Sequence, residues 1–241
     1  LNEGVMRNRT NILSGLAIAV AALMLTVPAT AWQAARSNYA SLVTRGENGS
    51  HILGNPYAPT KLTEYVSYTC PHCAHFTAET SALMRSRYVA PGTVSVEIRH
   101  IVRDPIDMAM AAAANCGAPA RFFSRHEALM AQQSAILARV QALPNATLQA
   151  WGQGEATTRL RRVADDSGVT DWMRLRGFTP AQVNTCLADV ALQNRLIAMG
   201  NAGTAAGVTG TPNFAINGAL LPGVYSWAAL SGPLAAAVAR R

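Results

Sequence analysis

The sequence predicts an α/β domain that is interrupted by a long helical segment. Two strand-like stretches, near residues 62–68 and 94–102, flank a predicted helix, and strand chemistry returns only at residues 213–221. The intervening stretch, about 100 residues long, carries its apolar side chains at helical spacing. Because a stretch this long and regular is neither a loop nor a linker, we expect the order β-α-β, a helical insertion, then β-β-α.

Composition and charge favour a folded chain that does not bind nucleic acid. The chain has 241 residues, of which 50% are hydrophobic and 14% charged, which is too apolar for a disordered protein. Its net charge is +7, but the basic residues are scattered. The tightest cluster, Arg159 to Arg162, is followed by Asp165 and Asp166 on a predicted helix. A nucleic-acid groove would need a concentrated basic stripe, so we exclude that class of partner.

The first residues have the pattern of an export signal. From Met6, two arginines precede an apolar run at residues 12–27, followed by Pro28 and an A-x-A tripeptide that ends at Ala31. This pattern predicts a signal peptide over residues 1–31, translated from Met6 and cleaved after Ala31. An uncleaved membrane anchor is the alternative, although the apolar run is short for a spanning helix. We therefore expect a periplasmic protein that is free to hold disulfides.

The first predicted strands and helix come after an N-terminal arm that is expected to lack regular structure. Residues 32–50 are polar, contain two glycines, and are expected to form a loose N-terminal arm. A strand at 62–68 then leads into a helix that has Pro71 at its first position and extends to about Tyr88. A second strand follows at 94–102, with alternate apolar side chains on one face.

The helical segment and the return to strands carry clear boundary signals. One helix begins at Asp104-Pro105 and ends at Gly117. Further helices are predicted at 121–140, from Thr179-Pro180, and at 190–206. The last predicted elements, in chain order, are a strand at 213–216, a tight turn at Asn217-Gly218, a strand at 219–221 and a closing helix at 226–240.

A Cys-x-x-Cys motif at the start of the first helix is the strongest functional signal. Cys70, Pro71, His72 and Cys73 follow a strand directly, which places Cys70 at the positive end of a helix dipole. The dipole and the free N–H groups there lower the pKa of the Cys70 thiol, and His72 adds charge or a hydrogen bond. A stabilised thiolate makes the corresponding disulfide a stronger oxidant. Cys73, in the first turn, is expected to be the buried resolving thiol.

A Cys-x-x-Cys motif also occurs in haem, metal and structural disulfide sites. A c-type haem site needs His directly after the second cysteine, and that residue is Ala74, so haem is excluded. A metal site formed by Cys70, Cys73 and a histidine stays open, as does a purely structural disulfide. The remaining histidines lack partner motifs and are expected to be surface or packed side chains: His51, His75, His100 and His126.

Two further residues agree with redox chemistry. Glu64 lies six residues before Cys70 and shares a strand face with Val66. A carboxyl group buried there would accept the proton of Cys73, whereas an exposed edge-strand glutamate is the alternative. Pro212 precedes a strand, where its missing N–H costs no ladder bond, and the sequence alone does not show whether its peptide bond is cis.

Taken together, these motifs resemble the DsbA family of thioredoxin-fold oxidoreductases. The resemblance is carried by CPHC after a strand, the preceding glutamate, the helical insertion and the GTPNFAING stretch, with support from residues 54–59 and 222–227. It implies a thioredoxin-like domain formed by residues 51–103 and 207–241, with a helical insertion at 104–206.

The resemblance also implies a role for each residue of the site. Cys70 would be the nucleophile, Cys73 the resolving cysteine and Glu64 the buried acid. Pro212 would be a cis-proline that faces the cysteines, and Thr211 would offer its backbone to an extended substrate segment. Cys116 and Cys186, on predicted helices of the insertion, resemble the second cysteine pair of some alphaproteobacterial DsbA proteins. We expect them to be bridged and structural, with free core cysteines as the alternative.

The sequence thus predicts a monomeric periplasmic enzyme that needs no cofactor. It would donate a Cys70–Cys73 disulfide to reduced exported proteins and be reoxidised by a DsbB-like membrane partner, as the resemblance implies. A reductase or isomerase of the same fold is the first alternative, because Thr before the cis-proline is usual in the isomerases. A metal-handling thioredoxin-like protein, such as a copper chaperone, is the second.

Overall fold

A mixed six-stranded sheet forms the centre of the computed structural model, which describes residues 38–240. The strand order is β1-β2-β4-β3-β5-β6. The strands are β1 Val43–Arg45, β2 His51–Leu53, β3 Thr60–Val66, β4 Val94–His100, β5 Asn213–Ile216 and β6 Ala219–Leu220. The predicted signal peptide, with its cleavage site, lies outside the described residues.

The middle of the sheet is β3, which has a neighbour on both sides. It runs parallel to β4 and antiparallel to β5, so that Glu64 is paired with Ile98 on one side and Phe214 on the other. A parallel pair requires a crossover, which the first helix supplies. The predicted strands at these three positions are therefore confirmed, with every end within two residues of its expected place.

The predicted loose arm is wrong for part of its length. A 3₁₀ turn forms at Tyr39–Ser41, and β1 pairs antiparallel with β2. Residue Gly49, at φ +81°, closes the connection between the two strands, and the N–H of Gly46 donates to Ser50 O at 3.0 Å. The β-branched pair at the start of β1 covers the edge of β2. The sequence did not predict this short hairpin because its connecting turn is polar and contains glycines.

Helices account for most of the remaining chain. They are α1 Pro71–Leu83, α2 Pro105–Asn115, α3 Phe122–Gln141, α4 Asn145–Ala150, α5 Ala156–Ser167, α6 Val169–Leu175, α7 Pro180–Leu187, α8 Val190–Ala205 and α9 Trp227–Ala239. The helix expected to reach Tyr88 changes to a π-helical turn at Met84–Val89. Hydroxyl groups of Ser81 and Ser86 bond to carbonyls one turn earlier in this region, and such bonds compete with the regular helical ladder.

The predicted helix boundaries are set by side-chain caps. Asp104 accepts a hydrogen bond from Asp107 N, and Thr179 forms a capping box with Gln182. Asn217 and Gly218, at φ +51° and +83°, form the predicted tight turn between β5 and β6. These local signals act within a few residues, which is why the sequence reveals them.

Helix α2 lies at the centre of the helical segment. Its buried alanines allow α3, α5, α7 and α8 to pack closely around it. The apolar core is continuous, since Leu62 and Val66 of the sheet belong to the same buried cluster as Met110 and Leu129 of these helices. Between residues 38 and 240, no helix combines the length and the apolar character that crossing a membrane requires.

Candidate active site

The two motif cysteines lie at the N-terminus of α1, and both are thiols. Cys70 is the N-cap residue with extended backbone angles, and Pro71 occupies the first turn. Cys73 is fully buried, whereas the His72 side chain is exposed beside it. The extended strand end and the helix start thus hold the two sulfur atoms at one positive helix terminus.

The Cys70 thiol is strongly acidic. A hydrogen bond from the Cys73 thiol lowers its pKa most, and the Thr211 side chain and the backbone N–H groups of Cys73 and His72 lower it further. These donors outweigh partial burial, which acts in the opposite direction, and bring the pKa to about 4. Cys70 is therefore a thiolate at neutral pH, the reactive form of the side chain.

Cys73 has the opposite character. Burial raises the pKa of its thiol well above the usual range, and the hydrogen bond that it gives to Cys70 raises it further. Since Cys73 holds its proton while Cys70 has lost its own, the two thiols differ in reactivity. A reactive thiolate beside a protonated thiol is the arrangement that thiol–disulfide exchange at a Cys-x-x-Cys motif uses.

Glu64 lies on the central strand with only 5% of its surface exposed. The alternative of an exposed edge-strand glutamate is wrong, because β3 is flanked by β4 and β5. Burial raises the pKa of the carboxyl group to about 8, and among the described residues its Oε1 has no hydrogen-bond partner. Its charge in turn raises the pKa of Cys73, so the two groups lie close enough to influence each other's protonation.

The loop before β5 reaches the cysteines. The Thr211-Pro212 peptide bond is cis, and the Cys70 Sγ lies 3.0 Å from the Thr211 carbonyl oxygen, to which it donates a hydrogen bond when it is protonated. The Thr211 hydroxyl is buried near the Cys70 sulfur, close enough to lower its pKa but outside ordinary hydrogen-bond geometry. Residues 70, 73, 211 and 212 therefore form one site, to which Glu64 contributes from the strand.

Most of the chain, including all the residues of this site, matches a known protein family. A family model described as Thioredoxin matches residues 47–235. The chain belongs to the thioredoxin family. A protein-disulfide isomerase from Novosphingobium aromaticivorans has a similar crystal structure, with 40% identity and a TM-score of 0.75, over 79% of this chain and 97% of that one. This thioredoxin-family assignment confirms the fold that the motif resemblance implied.

More distant similarities link the chain to a solved structure and to a sequence relative. Wolbachia pipientis alpha-DsbA1 is 17% identical, with a TM-score of 0.63, over 81% of this chain and 94% of that one, and shows the fold alone. A Rickettsia bellii protein named a protein-disulfide oxidoreductase is 26% identical over 169 residues, which is 69% of this chain. The chain spans 56% of the length of that relative.

A second cysteine pair lies in the helical segment of this thioredoxin-family chain. Cys116 and Cys186 form a disulfide with a Cα–Cα distance of 5.6 Å. The bond joins the C-terminal end of α2 to the last turn of α7. Neither residue belongs to the thioredoxin-fold elements that carry Cys70 and Cys73.

Three of the four remaining histidines are buried together. His51, His100 and His126 surround Phe122, and His51 stacks on it with ring centroids 3.9 Å apart. Burial lowers the pKa of all three, to between about 3 and about 4. His75 is exposed on α1. Across residues 38–240, no three His, Cys, Asp or Glu side chains come together in an arrangement that would hold a metal ion.

Sequence reasoning missed the side chains that hold the segment between β3 and α1. Asp107, in the first turn of α2, accepts hydrogen bonds from Tyr68 N at 2.8 Å and Ser67 Oγ at 2.6 Å. Burial raises the pKa of this carboxyl group to about 6, against the effect of those hydrogen bonds. Arg103 donates from its Nε to the same Ser67 hydroxyl at 2.9 Å. The only sequence signal for Asp107 was its place in a first turn, which indicates a helix dipole interaction and not a long-range contact.

Proposed function

We propose that the protein catalyses thiol–disulfide exchange and acts as an oxidase, donating a Cys70–Cys73 disulfide to reduced exported proteins. The observation that carries the proposal is the opposite displacement of the two thiol pKa values at one helix terminus. The family and the names of the relatives support the same reaction class.

The reaction begins with the oxidised enzyme. A substrate thiolate attacks the Cys70 sulfur, the Cys70–Cys73 bond breaks, and the Cys73 sulfur leaves with the electron pair. Glu64, whose burial raises its pKa to about 8, holds a proton at neutral pH and donates it to Cys73. A mixed disulfide between Cys70 and the substrate results.

A second substrate thiolate completes the exchange. It attacks the substrate sulfur of the mixed disulfide, and Cys70 leaves as a thiolate. The substrate has then lost two electrons and gained a disulfide, and the enzyme is a dithiol. The low pKa of Cys70 makes it a good leaving group in this step.

We infer the direction of electron transfer from the stability of the reduced enzyme relative to its disulfide form. The donors around Cys70 stabilise its thiolate and so stabilise the dithiol enzyme relative to the disulfide. An enzyme whose reduced form is stabilised is an oxidant. This argument favours oxidation over reduction of substrates.

An isomerase or reductase of the same fold is the second candidate. It is favoured by Thr211, whose hydroxyl lies against Cys70, and by the name of the Novosphingobium protein. An isomerase uses the same Cys70 thiolate to attack a wrong substrate disulfide, with no net oxidation. The two candidates therefore share one site and differ in the redox state in which the enzyme is kept.

Partners and location follow from the oxidase proposal. A dithiol product must return its electrons to an acceptor, and a DsbB-like membrane protein is the proposed reoxidase. The signal pattern of residues 1–31 supports export to the periplasm, where the substrates would be newly exported proteins. The disulfide in the helical segment fits the same oxidising compartment.

The deciding experiment is equilibration of the purified protein with glutathione buffers. A reduction potential near −120 mV would support the oxidase, and one near −270 mV would overturn it in favour of a reductase. A parallel assay measures disulfide formation in a reduced, unfolded model protein. The Cys70→Ser variant, which retains the second cysteine pair, is the matched control and is expected to be inactive.

A further inference from the structure

The segment that joins β3 to α1, residues 67–70, is held by side chains from the helical segment. Asp104 accepts from the Thr69 hydroxyl at 2.6 Å, and Asp107 accepts from the Tyr68 N–H. These contacts hold the side chain of Thr69 and the backbone N–H of Tyr68. The carbonyl side of the segment is fixed by one residue of α3, Gln133.

The Gln133 amide binds two backbone carbonyls at once. Its Nε2 donates to Tyr68 O at 2.8 Å and to Cys70 O at 2.9 Å, so both N–H bonds of the amide are used. The side chain is 3% exposed, and it reaches these atoms from the middle of a helix more than 60 positions away. A buried amide with this geometry fixes the positions of the Tyr68 and Cys70 carbonyl groups relative to each other.

The Cys70 carbonyl is also where α1 begins. It accepts hydrogen bonds from Cys73 N at 3.1 Å and Ala74 N at 3.3 Å, the first bonds of the helix. Gln133 therefore supports, from outside the helix, the atom on which the first turn of α1 depends.

We propose that Gln133 is a positioning residue for thiol–disulfide exchange, which fixes the first turn of α1 by holding the Cys70 carbonyl. The inference rests on the proposed function, in which Cys70 is the nucleophile and the leaving group. Gln133 touches neither sulfur through a hydrogen bond and acts through the backbone of Cys70.

The effect on chemistry follows from what this turn presents to the sulfur. The backbone N–H groups of His72 and Cys73 are among the donors that stabilise the Cys70 thiolate. When the carbonyl that anchors their turn loses an outside partner, the turn frays and these donors lie less well aligned. The thiolate is then less stable, and the reduced enzyme becomes less stable relative to the disulfide form.

The test compares two variants of α3. Gln133→Met keeps the length of the side chain and removes both donors. Ile136→Ala, one turn further along, removes buried apolar volume and leaves every contact to residues 67–70 in place. Each variant is measured by ultraviolet titration of the Cys70 thiolate, by equilibration with glutathione, and by thermal melting.

We expect Gln133→Met to raise the Cys70 pKa and to change the glutathione equilibrium about fivefold toward the disulfide form, the factor that one hydrogen bond commonly contributes. Ile136→Ala is expected to lower the melting temperature and to leave both redox quantities unchanged. Equal redox values in wild type and Gln133→Met would overturn the inference, as would an equal shift in both variants.

Two further measurements keep these outcomes distinct. If Gln133→Met does not fold, Gln133→Asn serves instead, because it retains a polar amide that is too short to reach Cys70 O. A change of the same sign supports positioning, and an unchanged equilibrium in the folded Asn variant overturns it. Failure of the proposed function is recognised separately, since the wild-type protein itself would then show an ordinary Cys70 pKa and a reducing potential.

Discussion

The protonated Cys70 thiol donates a hydrogen bond to the carbonyl oxygen of Thr211, a residue 141 positions away in the sequence. The same loop brings the Thr211 hydroxyl against the sulfur, where it lowers the Cys70 pKa. One residue thus offers two groups to the site. Its carbonyl, on the backbone, is present whatever the side chain, whereas its hydroxyl depends on the identity of the residue.

Replacing Thr211 with valine is expected to make the protein a weaker oxidant. The variant keeps the shape of the side chain and loses the hydroxyl, so the Cys70 pKa rises and the glutathione equilibrium moves about tenfold toward the disulfide form. Thiolate titration and glutathione equilibration measure the two changes. Thr209→Val, at an exposed position of the same loop, is the control, and a similar shift there would contradict a specific role for Thr211.

The Cys73→Ser variant is expected to accumulate mixed disulfides. Its Cys70 thiolate attacks oxidised glutathione, one glutathione leaves as a thiolate, and the other stays bonded to Cys70 because no resolving thiol remains. Intact mass spectrometry measures the adduct. The roles of the two cysteines would have to be exchanged if Cys70→Ser, and not Cys73→Ser, carried the glutathione.

Glu64→Gln is expected to remove a pH dependence of stability. Burial raises the folded-state pKa from 4.5 to about 8, so the folded protein holds a proton that the unfolded chain has released. The contribution of Glu64 to the free energy of unfolding therefore falls as the pH rises through that interval, and is constant above it. Denaturant titrations of the reduced proteins should show the variant gaining stability relative to wild type as pH increases.

The same variant tests the proton transfer. If Glu64 supplies the proton to Cys73, Glu64→Gln slows the reaction with reduced substrate without changing the Cys70 pKa by a comparable amount. Parallel pH profiles of rate in wild type and variant would contradict that role.

Removing the second disulfide is expected to cost stability and not activity. The bond closes a loop of 70 residues, which corresponds to about 4 kcal/mol in the chain-entropy model. The Cys116→Ala, Cys186→Ala double variant should melt about 10 °C lower. It should still oxidise substrate at room temperature, because Cys70 and Cys73 lie on other elements. Loss of activity in the folded variant would show that the second pair takes part in electron transfer.

The buried histidines are expected to make the protein sensitive to acid. Burial, with the charges of Arg45, His100 and Arg125, lowers the His51 pKa from 6.5 to about 3. The unfolded chain binds this proton first, so stability is lost as the pH falls below about 6.5.

His51→Phe tests this acid sensitivity directly. Both ring nitrogens of His51 lack partners among the described residues, and the ring stacks on Phe122, so a phenyl ring fits the same contact. The variant should match wild type at neutral pH and exceed it at acidic pH in thermal melts. An equal loss of stability in both proteins on acidification would contradict the assignment.

Much of the fold was predictable because its signals are local. Asp104 and Thr179 begin helices through hydrogen bonds within three residues, and Asn217-Gly218 turns a hairpin by its own backbone preference. The Cys70 motif is equally local, since a strand end and a helix start place it at a helix terminus. Glu64 was predictable because alternation on a strand sets which face it occupies.

The remaining parts depend on contacts that a pattern does not encode. Gln133 resembles any polar residue in an amphipathic helix until its partners, Tyr68 and Cys70, are known. The histidine cluster joins β2, β4 and α3 around one phenylalanine, and no spacing rule links those positions. The first hairpin was missed because its strands are three residues long, which is below what alternation can reveal.

The central position of β3 has a consequence for the order in which the site forms during synthesis. Its partner β4 emerges from the ribosome soon after it, whereas β5 is made near the end of the chain. Until β5 pairs with β3, Glu64 is still open to water on one side and Thr211 is absent from the cysteines. A growing chain thus lacks the contribution of Thr211 to the Cys70 thiolate and the full burial of Glu64, and the reactive centre is completed only when the last strands arrive.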